Sequence, residues 1–170
     1  EPRPGRLDEV VESAVGACQS LASQRSVALG VAVPPGIELP MDAPRLVQVL
    51  QNLLQNAIKY GTEGSNWIGL FASQSVGEDR AGVEIRVADR GPGIPQEEQT
   101  HVFDPFFRGN RALSDQIHGT GLGLNLVKKI VEAHGGTVRV ESRPMKGTEF
   151  VIWIPAAPAE QQDEFAHTSG

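Results

Sequence analysis

Two glycine-rich turns constrain this chain most: DRGPGI at residues 89–94, and GTGLGL at residues 119–124, which runs straight into an amphipathic stretch at residues 125–134. Glycine at that density admits positive φ and close backbone approach, and the helix start beyond it offers unpaired N–H groups and a positive dipole end to an anion. Together the turns imply a phosphate-bearing ligand. Neither of the two commonest phosphate loops fits. A P-loop needs Gly-Lys followed by Ser or Thr, whereas Gly123 is followed by Leu124 and Asn125. A Rossmann fingerprint needs a strand immediately upstream, whereas residues 108–118 are polar and aperiodic.

The 170 residues suffice for one domain with a sizeable core, and 39% hydrophobic composition is ordinary for a globular fold. Apolar runs are strand-length, and the first residues have no apolar signal-peptide core, so the chain is expected to lie in the cytosol or to be a cytosolic piece of something larger. A formal charge of −6 argues against a nucleic-acid binder, because neutralising phosphates needs a concentrated basic face. Cys18 is the single cysteine, and the four histidines are well separated. Chemistry therefore falls to carboxylates, amides and backbone.

Residues 1–6 are Pro-rich and charged and read as a linker, and residues 156–170 read as a flexible tail around a domain at 7–155. Apolar residues at helical spacing predict a helix over 7–25. Residues 27–33 and 37–41 read as extended. Asp42 is a candidate N-cap for a helix over 43–60, with Pro44 in its first turn and Gly61 ending it. Alternation predicts two antiparallel pairs, 67–75 with 83–89 and 137–142 with 148–154. That order implies an α+β fold in which helices cover one face of a largely antiparallel sheet.

On the 43–60 helix, Leu46, Leu50, Leu53, Leu54 and Ala57 form an apolar arc, and Asn52, Asn56 and Lys59 line its edge. Two readings fit those amides: hydrogen bonds to nearby loops, or a ligand role. An Asn oxygen suits Mg²⁺, which takes few protein ligands and leaves its other positions to water and phosphate, and Lys59 is a point charge for phosphate. Asp89 is equally a turn-former before Arg-Gly and an acceptor for a ligand amino group.

Four blocks in this order, QNLLQNAIKY (51–60), DRGPGI (89–94), FDPFFR (103–108) and GTGLGL (119–124), resemble the N, first glycine, F and second glycine boxes of sensor histidine kinase catalytic domains. The resemblance spans roughly residues 7–154 and includes EAHGG at 132–136 and GTEF at 147–150. It implies a Bergerat-fold (GHKL) α/β sandwich, shared with gyrase, heat-shock-90 and mismatch-repair ATPases, that binds ATP with Mg²⁺. By that resemblance Asn56 would hold the metal, Lys59 would reach phosphate and Tyr60 would flank the base. Asp89 would accept the adenine amino group in a pocket shaped by Gly91, Gly93, Ile94 and Thr148. Gly119, Thr120, Gly121, Leu122, Gly123 and Leu124 would bring backbone to the phosphates, and residues 103–118, with Phe103 and Arg108 among them, would form a mobile lid and its anchor.

In the ATPase relatives a Glu one turn before the metal-binding Asn orients the attacking water; here that position is Asn52, and an amide is no general base. The resemblance thus places Asn52 and Lys59 at a centre built for phosphoryl transfer, which asks mainly for positioning and charge stabilisation. The family's acceptor His, followed by an acidic residue on a helical hairpin, has no counterpart in His101, His118, His134 or His167. The implied partners are a separate dimerisation and phospho-acceptor domain and a downstream response regulator, with this portion monomeric by itself. Two alternatives are a serine kinase or anti-sigma switch protein of the same superfamily, and a nucleotide-binding module without kinase activity.

Overall fold

The computed structural model describes residues 3–62, 65–77, 79–104, 123–143 and 145–156. The chain runs β1 (Arg3–Arg6), α1 (Leu7–Gln24), β2 (Ala28–Ala32), β3 (Glu38–Met41), α2 (Ala43–Tyr60), β4 (Trp67–Gly77), β5 (Arg80–Asp89), α3 (Gln96–Gln99), α4 (Gly123–Ala133), β6 (Thr137–Arg143) and β7 (Gly147–Pro155). Five strands form one sheet in the order β2-β4-β5-β7-β6, parallel between β2 and β4 and antiparallel elsewhere. A parallel neighbour needs a crossover, and α2 supplies it.

The α2 boundaries follow from punctuation. Asp42 Oδ1 accepts from Arg45 N–H at 3.4 Å, Pro44 occupies the first turn, and Gly61 N–H closes on Ala57 O at 2.8 Å. Leu46, Val49, Leu50, Leu53, Leu54, Ala57 and Ile58 are all buried. They join one core with alternate residues of the sheet, such as Ile68, Leu70, Ile85, Val87, Phe150 and Ile152, and with the apolar stripe of α1. Burial pushes the Cys18 thiol pKa up, so it serves there as a packed apolar group.

The other face of the sheet carries a charged cluster beside buried Val151 and Trp153. Arg86 bonds Glu84, Glu141 and Glu149 at 3.1, 3.2 and 2.7 Å, and Phe71 stands 37% exposed. Helices therefore cover one face, as the order of elements implied.

The N-terminal segment differs from expectation. Residues 3–6, linker-like in composition, pair antiparallel with β3 from Arg3↔Met41 to Arg6↔Glu38. Pro4 lies opposite Pro40, which removes two donors from the ladder. Packing makes the strand all the same: a Cβ at Gly5 would come within 2.8 Å of the buried Met41 sulfur, and Leu7 N–H donates to Ile37 O at 2.9 Å.

Candidate functional site

The helix-facing side of the sheet is apolar until its last rung. There Asp89 of β5 pairs with Thr148 of β7, which pairs with Ser142 of β6, giving one polar row across three strands. Among the described residues Thr148 is the one buried polar residue, 5% exposed. A polar group so placed needs partners, since an unmet buried hydroxyl costs about 1–3 kcal/mol. Thr148 Oγ1 lies 3.0 Å from Ser142 Oγ, and Thr148 N–H donates to Asp89 Oδ1 at 3.2 Å.

The first glycine turn is fastened to this row at several points. Gly91 N–H donates to Asp89 Oδ1 at 2.9 Å, and Ile94 N–H to Ser142 Oγ at 2.8 Å. Met145 N–H donates to Pro92 O at 2.7 Å, while Gln99, at the end of α3, bridges Ile94 O and Ser142 O at 2.9 and 3.1 Å. Ser142 Oγ also donates to Gly147 O at 3.0 Å. The β6–β7 hairpin thus fixes the shape of residues 89–94.

Glycine is needed here because backbone meets backbone. A Cβ on Gly91 would lie 2.5 Å from Gly61 O. Gly93, at φ +84°, backs onto the Arg143 carbonyl, and Gly147, at φ +92°, onto that of Asp89. Where the sequence suggested close approach to a ligand, Gly91 and Gly93 approach the protein itself. Gly61, the residue that ends α2, lies directly against the Asp89 carboxylate, so the last turn of α2 and the polar row share one corner of the molecule.

Asn52, Asn56, Lys59 and Tyr60 are half-buried along the flank of α2, beside the apolar face as the wheel predicts. Phe103 packs edge-on against Phe150 with ring centroids 6.1 Å apart, and Ile94 and Leu124 pack partly buried against the core. Gly123 opens the described part of α4, with nothing among the described residues within 4 Å of where its Cβ would be. Asn125 Nδ2 donates to Phe103 O at 3.0 Å, tying the start of α4 to the end of the preceding described segment. Arg108, Gly119, Thr120, Gly121 and Leu122, and the lid expected at residues 108–118, lie outside the described residues.

Sequence reasoning did not single out Ser142 and Gln99, and it gave His134 no specific partner. His134 Nε2 accepts from Asp42 N–H at 3.0 Å and Nδ1 donates to Ile130 O at 2.9 Å, which assigns the neutral Nδ1–H tautomer. The end of α4 is thereby tied to the N-cap of α2. No helix among the described residues is long and apolar enough to cross a membrane.

Residues 41–158, more than half of the chain, match the histidine kinase-, DNA gyrase B- and HSP90-like ATPase family. The chain belongs to that family. Within it, the similar proteins are sensor histidine kinases. Sensor-like histidine kinase SenX3 of Mycobacterium tuberculosis is 36% identical over 158 residues, covering 93% of this chain and 37% of the relative. Sensor histidine kinase WalK of Bacillus subtilis is 37% identical over 123 residues, 72% of this chain and 20% of that protein. The chain therefore spans little more than a third of the length of the first relative.

Solved structures agree. The catalytic domain of histidine kinase ThkA superposes with a TM-score of 0.78 at 28% identity, over 93% of this chain and 97% of that one. Mycobacterial sensor histidine kinase MprB gives 0.75 at 31%, over 93% and 99%. Full-length ShkA, solved in complex with AMPPNP, gives 0.77 at 28%, over 94% of this chain and 32% of that one. The fold is that of histidine kinase catalytic domains, and this is an ATP-binding domain of that type.

Proposed function

We propose that this domain binds Mg-ATP and transfers its γ-phosphoryl group to a histidine on a dimerisation and phospho-acceptor domain of the same sensor kinase, from which a response regulator is then phosphorylated. The observation that carries the reading is the Asp89 carboxylate, held by two backbone N–H groups at the polar end of an apolar core, against Gly61 at the end of α2. A fixed acceptor in such a site recognises an exocyclic amino group, because it matches a donor on the ligand and opposes a carbonyl oxygen there.

The donor set suits the rest of the ligand. Asn56 offers one neutral oxygen, which fits a Mg²⁺ ion held mostly by phosphates and water, and when bound that ion neutralises phosphate charge. Lys59 adds a positive charge in the same turn. Gly119–Leu124 and the start of α4 supply backbone N–H groups. Asn52 can position but cannot deprotonate water, which favours transfer to a protein nucleophile over hydrolysis and speaks against the serine-kinase alternative, whose members usually carry Glu there. That ShkA was solved with AMPPNP supports a nucleotide in this fold.

Asp89→Asn exchanges an acceptor for a mixed donor and acceptor, a mismatch of about 1–3 kcal/mol, so calorimetry is expected to give several-fold weaker ATP binding, with a larger loss than for GTP. Labelled ATP is expected to leave the chain unmodified and to label an added acceptor hairpin at an acid-labile site. Unchanged ATP affinity in Asp89→Asn, or stable label on this chain alone, would refute the reading.

A further inference from the structure

Ser142 is the junction of the polar row, and its proton count is determinate. Its hydroxyl has one proton and two lone pairs. Ile94 N–H takes one lone pair at 2.8 Å. Gly147 O, 3.0 Å away, can only accept, so the Ser142 proton lies on that line; without it two oxygens would face each other lone pair to lone pair. The contact with Thr148 at 3.0 Å must then be filled by the Thr148 proton, donated into the remaining lone pair of Ser142. This is the one assignment that satisfies all three contacts, and it leaves Thr148 Oγ1 with lone pairs only.

We infer that Ser142 is a specificity-determining residue for the nucleobase: by consuming the Thr148 proton it makes Thr148 an acceptor, so that Thr148 and Asp89 present acceptors side by side and select a base edge bearing an amino group over one bearing a carbonyl. Adenine offers an amino group at the position where guanine carries an oxygen. Ser142 acts through Thr148, as a positioning residue. The inference rests on the nucleotide-binding reading above and deepens it. With Ser142 removed, the Thr148 hydroxyl is free to rotate and donate, which relieves its mismatch with a carbonyl. Ile94 N–H also loses its acceptor, so ATP affinity itself is expected to decline; the ratio of ATP to GTP affinity separates the two effects.

The test is calorimetry of the 170-residue chain with Mg-ATP and Mg-GTP. In Ser142→Ala the ATP-over-GTP ratio is expected to fall by about threefold or more, a change well within what re-aiming one hydroxyl supplies. Ser142→Cys, nearly isosteric but a weak acceptor, is expected to do the same and stands in if the alanine variant does not fold. Ser142→Thr keeps the hydroxyl and is expected to hold the wild-type ratio. In a Thr148→Val background the Ser142→Ala effect on the ratio is expected to vanish. An unchanged ratio in folded Ser142→Ala or Ser142→Cys, or a change that persists in Thr148→Val, would overturn the assignment. Failure of the wild-type chain to bind ATP would be seen before any variant is made and would sink the nucleotide-binding reading, taking this inference with it.

Discussion

Gly61→Ala is the sharpest test of how the corner at Asp89 is built. Gly61 has φ −101°, which alanine adopts freely, so the backbone offers no objection. Reducing the freedom of the unfolded chain by such a change would by itself stabilise the protein by about 0.4–1 kcal/mol. Packing opposes this. The new Cβ would overlap the Asp89 carboxylate and sit 2.8 Å from Asp89 Cβ. The α2 end has little room to retreat as a unit, because Gly61 O is 2.5 Å from where a Gly91 Cβ would be, so the side chain of Asp89 must swing. Swinging breaks the bonds that Oδ1 accepts from Gly91 and Thr148 at 2.9 and 3.2 Å. A hydrogen bond to a charged group contributes about 1.5–3 kcal/mol. Asp89 is only half-buried, and water recovers part of that, so the lower end is the fair figure for the pair. The base amino group that no longer meets its charged acceptor forfeits a separate bond, at the lower end also about 1.5 kcal/mol, which corresponds to about tenfold weaker ATP binding. Isothermal calorimetry with Mg-ATP reads the affinity, and urea unfolding reads the stability, which is expected to change little because the two terms oppose. ATP affinity within twofold of wild type would show that Asp89 is not the acceptor the base meets, or that its position is not fixed by Gly61.

Two further outcomes follow from contacts away from the pocket. Gly16 lies in the exposed middle of α1, with nothing outside its own helix backbone among the described residues within 4 Å of where a Cβ would stand, so Gly16→Ala is expected to stabilise the fold by about 0.5–1 kcal/mol, seen as a raised urea midpoint at constant m-value. His134→Ala leaves Asp42 N–H without its acceptor and Ile130 O with only the backbone N–H of residue 134, and is expected to destabilise by about 1–2 kcal/mol in the same assay, with hydrogen exchange rising first at the N-terminus of α2; a change confined to α4 would contradict the tie.

What was legible in the sequence was what local rules encode. Asp42, Pro44 and Gly61 bracket α2 to the residue, and alternation locates β4 with β5 and β6 with β7 to within a few positions. The 3–6 strand was not legible, because arginine, proline and glycine carry no strand signal and the pairing depends on Met41 and Leu39 being buried across a second strand. The parallel placing of β2 beside β4 was equally hidden: pairing partners are tertiary, and only the crossover through α2 creates them. In the candidate site, the residues in glycine-rich or amide-rich runs stood out, while Ser142, Gln99 and His134 did not. Each of those acts through a side-chain hydrogen bond to backbone 43 or more residues away, at Ile94, Ser142 or Asp42, and a polar residue at the end of a strand or helix looks the same whether or not such a partner exists.

Asp89 shows how two readings of one residue merge once the geometry is known. As a turn-former, an Asp before Arg-Gly accepts from the N–H two residues on, and Oδ1 does so at Gly91. As a base-recognising acceptor, the same carboxylate must not rotate, since a loose acceptor loses in ordering what it gains in bonding. The turn bond, the second N–H from Thr148 and the flat wall of Gly61 together supply that rigidity. The glycines at 61, 91, 93 and 147 therefore act on the ligand indirectly: Gly61 makes room for the Asp89 side chain, the other three let one backbone segment close on another, and the closed set holds a single carboxylate in place. Replacing any one of them is expected to loosen that carboxylate before it unfolds the domain, so that nucleotide affinity falls further than stability does.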